Sequence, residues 1–313
     1  MPNNSYNPRV CVVVPILNEA RFLRESLDSL MAQDYQPLEI IVYDGGSTDG
    51  TLDILKTYPL EVIVEPGLGQ MAAINRGWKR TSAEFVTWWA GDDVLYPGAI
   101  RRLATELQAH PDACLAHGDI NVIDENSAVT RHVAPGDIQL ARLVDFNLNI
   151  MVQSTLFRRT SLERSGMLDE TRRLAADWDL VLRLAQYYPT HYVPFTLATR
   201  RMHSGSEDAQ DAESLLKAID DVMDCFFRRP DLTNDQHKLH KRAIACSRLN
   251  LASLYVRAGR RSQAWRMLLE AARASFHVLL TTRHGRHTTV RVIAPFALVS
   301  VAEAFYRSMA NHR

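Results

Sequence analysis

Residues 10–51 read VCVVVPILNEARFLRESLDSLMAQDYQPLEIIVYDGGSTDGT, and this stretch predicts the fold. Two runs rich in β-branched residues, 9–17 and 38–43, have the length and composition of buried strands. Between them, residues 20–32 carry apolar side chains at helical spacing. A strand, a helix and a second strand in this order are typical of a parallel sheet covered by helices.

The same alternation continues to residue 109 and then becomes less regular. Strands are predicted over 60–64, 84–90, 114–123 and 191–194, and helices over 51–58, 70–80, 97–109 and 178–186. From residue 208 onward the pattern is almost entirely helical. We therefore expect an α/β fold over residues 1–206, with a mostly parallel sheet flanked by helices, followed by a basic α-helical region over 207–313.

The composition excludes several classes of protein. Of the 313 residues, 46% are hydrophobic and 23% charged, which is ordinary for a globular chain and excludes a disordered or fibrous one. None of the four cysteines lies in a C-x-x-C pair, so neither a disulfide framework nor a thiolate zinc site is indicated. The polar N-terminus and the absence of an 18-residue apolar run favour a cytoplasmic protein without a spanning helix.

The zero net charge hides an asymmetry between the two ends of the chain. From Arg228 onward there are 16 Lys and Arg residues against four acids, whereas the preceding residues are net acidic. The apolar segment Ile293–Ala302 and its flanking arginines suit an interfacial helix on an anionic membrane, at the inner face of the plasma membrane. Alternatively, the C-terminal helices pack on the acidic body. Nucleic acid is not expected, because no aromatic residues interleave with the charges on a strand.

Polar clusters at 15–19, 44–50, 65–70 and 91–93 each follow a predicted strand, so they should meet at one edge of the sheet. Asp92 and Asp93 repel each other unless a cation or ligand donors stabilise them. Their oxygen ligands suit Mg²⁺ or Mn²⁺ bridging a diphosphate. The alternative is that they cap the helix that follows.

Three further motifs each have a functional and a structural interpretation. The Asp44–Gly50 loop can approach a base or ribose, or simply cap the next helix. Gly67–Ala72 matches the G-x-G-x-x-A dinucleotide fingerprint, but it follows the third strand rather than the first, which argues against a nicotinamide site. Asp177 precedes a helix and is either a general base or a cap. Arg201 and His203 could supply positive charge and an imidazole to phosphates or a metal.

Taken in order, these clusters resemble the family 2 glycosyltransferases of the GT-A fold. The motifs that carry the resemblance are VVPILNE (13–19), DGGSTDGT (44–51), GQMAAINRG (69–77), GDD (91–93), DWDL (177–180) and RMHSGS (201–206). They extend over about two thirds of the chain. The resemblance implies an inverting enzyme that uses a nucleotide sugar, most often with a divalent metal such as Mn²⁺ or Mg²⁺.

The resemblance also implies roles for individual residues. The nucleotide pocket would be lined by Pro15, Asn18, Glu19, Asp44, Gly46 and Ser47, with Gln70 and Asn75 supporting the nucleotide or the donor sugar. Asp92 and Asp93 would bind the metal and the diphosphate, and His203 would complete the metal site. Arg201 would contact the diphosphate, and Asp177 would be the catalytic base. The acceptor would be a glycan or lipid-linked glycan.

The chain departs from the family pattern at three positions. Ala90 replaces the first Asp of the metal motif, Gly45 replaces a frequent second Asp, and Ala176 replaces the usual Glu before Asp177. Two other functions stay open at this point: a non-catalytic nucleotide-sugar-binding scaffold of the same fold, and a nucleotidyltransferase. The second would need a glycine-rich, basic first loop, which PILNEA at 15–20 does not provide.

Overall fold

The computed structural model describes residues 6–145, 152–203, 212–281 and 288. The chain divides into two compact units, one of residues 1–143 and 147–222 and one of residues 144–146 and 223–313. The predicted boundary at residue 206 lies outside the described residues, as do Ser204–Ser206 of the last family motif. The predicted interfacial segment Ile293–Ala302 lies outside them too.

The first unit is built on one sheet, to which the described residues contribute eight strands. They are β1 (Val10–Ile16), β2 (Leu38–Asp44), β3 (Glu61–Val64), β4 (Phe85–Trp88), β5 (Leu115–Ile123), β6 (Val129–Val133), β7 (Thr155–Arg158) and β8 (His191–Arg201). The order is β3-β2-β1-β4-β7-β5-β6, and β8 also pairs with β5. β1 is parallel to β2 and β4, β2 to β3, and β5 to β8, whereas β7 and β6 run antiparallel to their neighbours.

Helices connect these strands as the sequence predicted. In the first unit they are α1 (Leu23–Met31), α2 (Thr51–Leu55), α3 (Gln70–Arg80), α4 (Ala99–Ala109), α5 (Leu140–Val144), α6 (Arg159–Ser165) and α7 (Ala176–Tyr187). The expected α/β fold with a mostly parallel sheet is therefore confirmed. The sequence did not predict β6, because four of its five residues are exposed and no apolar alternation marks it.

The core forms where α1 and α3 pack around β1. All seven residues of β1 are buried, and Leu23, Leu27 and Leu30 of α1 are fully buried as well. Gly77 of α3 faces β1, where a Cβ atom would lie 2.3 Å from a Val13 methyl group. Because no side chain fits there, glycine lets the helix approach the strand closely.

The helical C-terminal region is also confirmed. Its described helices are α8 (Ala212–Phe227), α9 (Asn234–Lys238), α10 (His240–Arg257) and α11 (Arg261–Thr281). A kink at Ser275, whose backbone is not helical, divides α11. α10 and α11 pack on each other, and Gly259 between them has φ +72, a left-handed conformation that favours glycine. None of the helices in the described part of the chain has the length and apolar character needed to cross a bilayer.

Candidate active site

The strand directions bring four of the predicted motifs to one edge of the sheet. β1, β2 and β4 are parallel, and β5 and β8 run in the same direction because the antiparallel β7 separates them from β4. The carboxyl ends of these strands therefore share an edge, which is where ligands bind in open α/β sheets. The segments that begin there include residues 17–22, 45–50, 89–98 and 202–203.

Hydrogen bonds hold the loops after β1 and β2 together. The backbone N–H of Asn18 donates to Ser47 Oγ (2.8 Å), and the N–H of Thr48 donates to Asn18 Oδ1 (2.9 Å). The N–H of Glu19 donates to Thr51 Oγ1 (3.0 Å). Asn18 adopts φ +58, a conformation that asparagine tolerates better than most residues and that is enriched at functional sites. The two motifs that were predicted to share a pocket thus contact each other directly.

Asp44, at the end of β2, is fully buried, and its two carboxylate oxygens differ in their hydrogen bonding. Its Oδ1 accepts hydrogen bonds from the backbone N–H groups of Gly46 (2.9 Å) and Ser47 (2.8 Å). Its Oδ2 is also buried, and none of the described residues donates a hydrogen bond to it. A buried carboxylate oxygen without a donor is costly, so it marks a place where a ligand N–H or O–H would be stabilised.

The Asp92–Asp93 turn after β4 points its two carboxylates in different directions. Asp93 is 2% exposed, and its Oδ1 accepts a hydrogen bond from the backbone N–H of Arg201 (2.7 Å). Burial, followed by the charge of Asp92, raises the pKa of Asp93 to about 8. Asp92 is less buried, and its Oδ2 lies 3.1 Å from His203 Nε2. Asp93 therefore helps to hold the turn, and Asp92 is the carboxylate that faces the histidine. That Asp93 also binds the metal stays a prediction.

A third acid, Glu19, adds to the negative charge at this edge. Burial, followed by the charges of Asp92 and Asp49, raises the pKa of its carboxyl to about 7. The loops are close enough that a Cβ atom on Gly91 would lie 3.2 Å from Glu19 Cβ. Acids that raise one another's pKa are stabilised by a cation, so the electrostatics favour a metal ion or a cationic ligand.

Arg201 supports the acidic turn from inside the protein. Its side chain is completely buried, and its Nε donates to the Asp92 carbonyl oxygen (2.8 Å). Its two Nη atoms donate to the Asp124 carbonyl (3.2 Å), Ser127 Oγ (2.9 Å) and Glu25 Oε2 (2.7 Å). The sequence suggested a diphosphate contact for Arg201, but four hydrogen bonds to protein acceptors occupy its guanidinium. Glu25 and Ser127 were not singled out, and no sequence signal marks them.

Asp177 is the second residue of α7, just after a residue with an uncommon backbone conformation. The preceding Ala175 has φ +60, which is uncommon for a residue with a side chain. The backbone N–H of Trp178 donates to Asp177 Oδ1 (2.8 Å), and the carboxylate is partly exposed. Arg183 fixes the helix by binding Asp179 (2.8 Å) and the carbonyl groups of the loop before it. That Asp177 faces the Asp92–Asp93 turn stays a prediction.

The other predicted residues divide into exposed and buried ones. Gln70 is exposed at the start of α3, and Pro15 is buried within β1 beside Tyr43. Asn75 is 3% exposed, and its side-chain amide binds the backbone of Leu168 (2.9 and 3.1 Å) and the Glu170 carboxylate (2.9 Å). Asn75 therefore braces the loop that leads toward α7.

The donor set of Asp92 and His203 fits a divalent metal. A carboxylate oxygen and an imidazole nitrogen 3.1 Å apart are close enough to bind one ion together. Oxygen donors suit Mg²⁺ and Mn²⁺, and a nitrogen donor shifts the preference toward Mn²⁺. The two residues come from segments more than a hundred positions apart, so only the fold brings them together.

The chain is similar to known glycosyltransferases. Residues 11–166 match the model of the family "Glycosyl transferase family 2". A PGL/p-HBAD biosynthesis glycosyltransferase of Mycobacterium bovis (strain BCG) is 30% identical over 203 residues, which cover 63% of this chain and 74% of the relative. An uncharacterized glycosyltransferase of Rickettsia typhi is 28% identical over 233 residues, 71% of each chain.

Two solved structures share the fold. TarS 1–349 of S. aureus, in complex with UDP-GlcNAc, superposes with a TM-score of 0.67 at 17% identity, covering 91% of this chain and 88% of that one. The mannosyltransferase PcManGT of Pyrobaculum calidifontis, in complex with GDP-Man and Mn²⁺, gives 0.61 at 20% identity, covering 93% and 86%. The architecture described above is the GT-A fold.

Proposed function

Because the chain belongs to glycosyl transferase family 2 and is a glycosyltransferase, we propose that it moves a sugar from a nucleoside diphosphate to an acceptor hydroxyl with inversion. The observation that supports this proposal best is the edge where the Asp92–His203 pair lies beside the hydrogen-bonded loops after β1 and β2. The family favours this activity over a nucleotidyltransferase or a non-catalytic scaffold.

We propose that the nucleotide base binds against the loop after β2. Asp44 Oδ2, to which no residue in the described part of the chain donates a hydrogen bond, would accept one from the base, while Oδ1 holds the loop in place. Since Oδ2 is closed to solvent, the loop must open slightly to admit the base. Pro15, Asn18, Gly46, Ser47 and Gln70 would form the surrounding walls. A UDP-sugar is the donor we favour, and the binding of UDP-GlcNAc by the structurally similar TarS supports it.

We propose that Asp92 and His203 hold Mn²⁺ or Mg²⁺. When bound, the ion supplies positive charge that stabilises the diphosphate as it leaves. Asp93 keeps the turn in place through its hydrogen bond from the Arg201 N–H, and Arg201 fixes the same turn through the Asp92 carbonyl. Glu19 lies beside Asp92, and a bound cation would favour the ionised form of its carboxyl, whose pKa is raised to about 7. The similar PcManGT was solved with Mn²⁺, which agrees with this assignment.

Asp177 is the residue we propose as the general base. Its carboxylate stands in the first turn of α7, where the positive end of the helix dipole favours negative charge. Hydrogen bonds hold the segments around it: Arg183 fixes the helix, and Asn75 fixes the preceding loop. A base positioned in this way would take the acceptor hydroxyl proton as the oxygen attacks the anomeric carbon.

The nucleotide and the metal should stabilise the protein together. At concentrations about 100-fold above the dissociation constant, UDP with Mn²⁺ should raise the melting temperature of the full chain by about 5 °C. Asp92→Asn should lose at least half of this shift, because it removes one proposed metal ligand. Asp112→Asn, which changes an exposed acid, is the matched control and should retain the shift. An equal shift in EDTA, or in the Asp92 variant, would contradict the metal assignment.

We propose that the acceptor is a glycan intermediate, with a lipid-linked one favoured by the surface of α11. Four large apolar side chains of α11 are exposed, Trp265 (42%) and Leu269 (51%) before the kink at Ser275 and Phe276 (63%) and Leu280 (55%) after it. The exposed Arg266 and Arg273 lie among them. Apolar side chains beside arginines suit the surface of an anionic membrane. A cytoplasmic location, with the inner face of the membrane as the docking surface, stays a prediction.

Vesicle flotation tests this surface. The full chain should float with vesicles that contain phosphatidylglycerol and stay behind with neutral phosphatidylcholine vesicles, and high salt should weaken the binding. Trp265→Ser combined with Phe276→Ser should reduce flotation severalfold, because it removes apolar area that the membrane would bury. Val129→Ser with Phe195→Ser, which removes exposed apolar groups elsewhere, should have no effect. Equal flotation of both double variants would argue against α11 as the docking surface.

A further inference from the structure

A cluster of three potential metal ligands lies outside the candidate active site. Glu106 and His110 belong to the end of α4, and His191 begins β8. One ligand atom from each lies within 4.8 Å of the other two, and theirs is the one group of at least three His, Cys, Asp or Glu side chains that meets this spacing in the described residues. We propose that Glu106, His110 and His191 form a binding site for Zn²⁺ that is separate from the glycosyltransferase site.

The two sites are at opposite edges of the sheet. His191 and Arg201 are the first and last residues of β8, and Arg201 supports the Asp92–Asp93 turn. At about 3.3 Å per residue, the strand separates them by roughly 30 Å. A metal ion at one site therefore cannot share a ligand with the other, and the proposal does not depend on the function of the active site.

The spacing along α4 already brings two of the ligands together. Glu106 and His110 are four residues apart, so their side chains lie on the same face of the helix. His110 Nδ1 lies 2.8 Å from the Glu106 carbonyl oxygen and 3.9 Å from Glu106 Oε2, so this nitrogen faces the cluster. To bind a metal, His110 would either exchange the hydrogen bond to the carbonyl for the ion or turn its ring to present Nε2, in which case Nδ1 could keep donating to a backbone carbonyl, as in many metal-bound histidines.

The third ligand arrives from the sheet. His191 Nε2 lies 3.1 Å from Glu106 Oε2, close to the roughly 3.4 Å that separates two ligands in a tetrahedral zinc site with bonds of 2.0–2.2 Å. The rings of His110 and His191 stack, with centroids 3.6 Å apart and planes at 20°. Binding must therefore turn one ring out of the stack. All three side chains are partly exposed, and His110, the most exposed of them, is the ring we expect to turn.

The donor set and its surroundings select the ion. Two imidazole nitrogens and one carboxylate oxygen suit Zn²⁺, whereas Mg²⁺ prefers oxygen ligands alone. The carboxyl end of α4 carries partial negative charge, which favours a cation there. Arg158 places a positive charge at the same helix end, because its guanidinium donates hydrogen bonds to the carbonyl oxygens of Leu107 and His110. This charge opposes the binding of a cation. A bound ion would link α4 to β8, which flank the Asp92–Asp93 turn at their other ends.

Zinc titration of the full chain tests the proposal, with His203→Ala as the background because it removes the proposed active-site ligand. In isothermal titration calorimetry this protein should bind one Zn²⁺, and the ion should raise its melting temperature. Adding His110→Ala, or His191→Ala, should weaken binding by more than tenfold and abolish the stabilisation. Adding His237→Ala, which changes an exposed histidine on α9, should change neither.

The outcomes separate the site from adventitious binding to the surface histidines. Circular dichroism should show that the His110 variant is folded, because its side chain is nearly half exposed. Lowering the pH from 7.5 to 5.5 should weaken binding, since protons compete for the imidazoles. Equal zinc affinity in the His110 and His237 variants would overturn the proposal, as would binding without stabilisation of the folded protein.

Discussion

Replacing Asp177 by asparagine should lower the rate of sugar transfer by roughly 10²–10⁴-fold and leave the binding of UDP with Mn²⁺ nearly unchanged. The amide has the shape of the carboxylate, but it cannot take the proton from the acceptor hydroxyl. The hydrogen bond from the Trp178 N–H can still be accepted by the amide oxygen, so the start of α7 should keep its structure. The loss should therefore appear in kcat rather than in stability.

A second acid on the same helix provides the contrast. Asp179 binds Arg183 through one carboxylate oxygen (2.9 and 2.8 Å), and both side chains are largely buried. Asp179→Asn should lower the melting temperature more than Asp177→Asn does, with a smaller loss of turnover per folded molecule. The measurement is product formation from a radiolabelled nucleotide sugar, together with thermal unfolding. Retained turnover in Asp177→Asn would remove that residue from the role of base.

Replacing Arg201 by methionine should destabilise the first unit by about 3–5 kcal/mol, at roughly 1 kcal/mol for each of the four hydrogen bonds lost, and should abolish transfer as well. The change leaves the Asp124 and Asp92 carbonyl oxygens, Ser127 Oγ and one Glu25 oxygen without their buried donor. The turn that carries Asp92 and Asp93 then loses its support from behind. Arg201→Lys should recover only part of the stability, because one ammonium group cannot reach four acceptors in different directions.

The control for this experiment is Arg131→Met. Arg131 lies on the exposed β6, so its loss should change stability by less than about 0.5 kcal/mol. Urea unfolding followed by tryptophan fluorescence reports mainly the first unit, which contains four of the five tryptophans, Trp78, Trp88, Trp89 and Trp178. If Arg201→Met unfolded at the same urea concentration as Arg131→Met, the guanidinium would not be the support that its contacts suggest.

The local parts of the molecule were predictable because their signals are local. The helix over 70–80 and the strands over 9–17, 38–43 and 60–64 follow from the spacing of apolar residues. In the structure these elements begin and end within one or two residues of the predicted bounds. Strand β8 was predicted to be four residues long but extends over eleven. Its second half continues the pairing with β5, although its own residues show no alternation of apolar and polar side chains that would predict a strand. Its Pro194 and exposed Phe195 hide that pairing from the sequence.

The amino-acid sequence was enough to predict the order of the elements up to residue 109, the edge at which the polar loops gather and the family to which the motifs point. It could not decide which carboxylate of the Asp92–Asp93 turn faces inward, which group Arg201 binds, or that Glu106 meets His191. Those contacts join residues 108, 176 and 85 positions apart. The spacing of apolar residues along a helix or strand indicates only which face is buried. The partner of a given side chain depends on how strands and helices that are distant in sequence pack together.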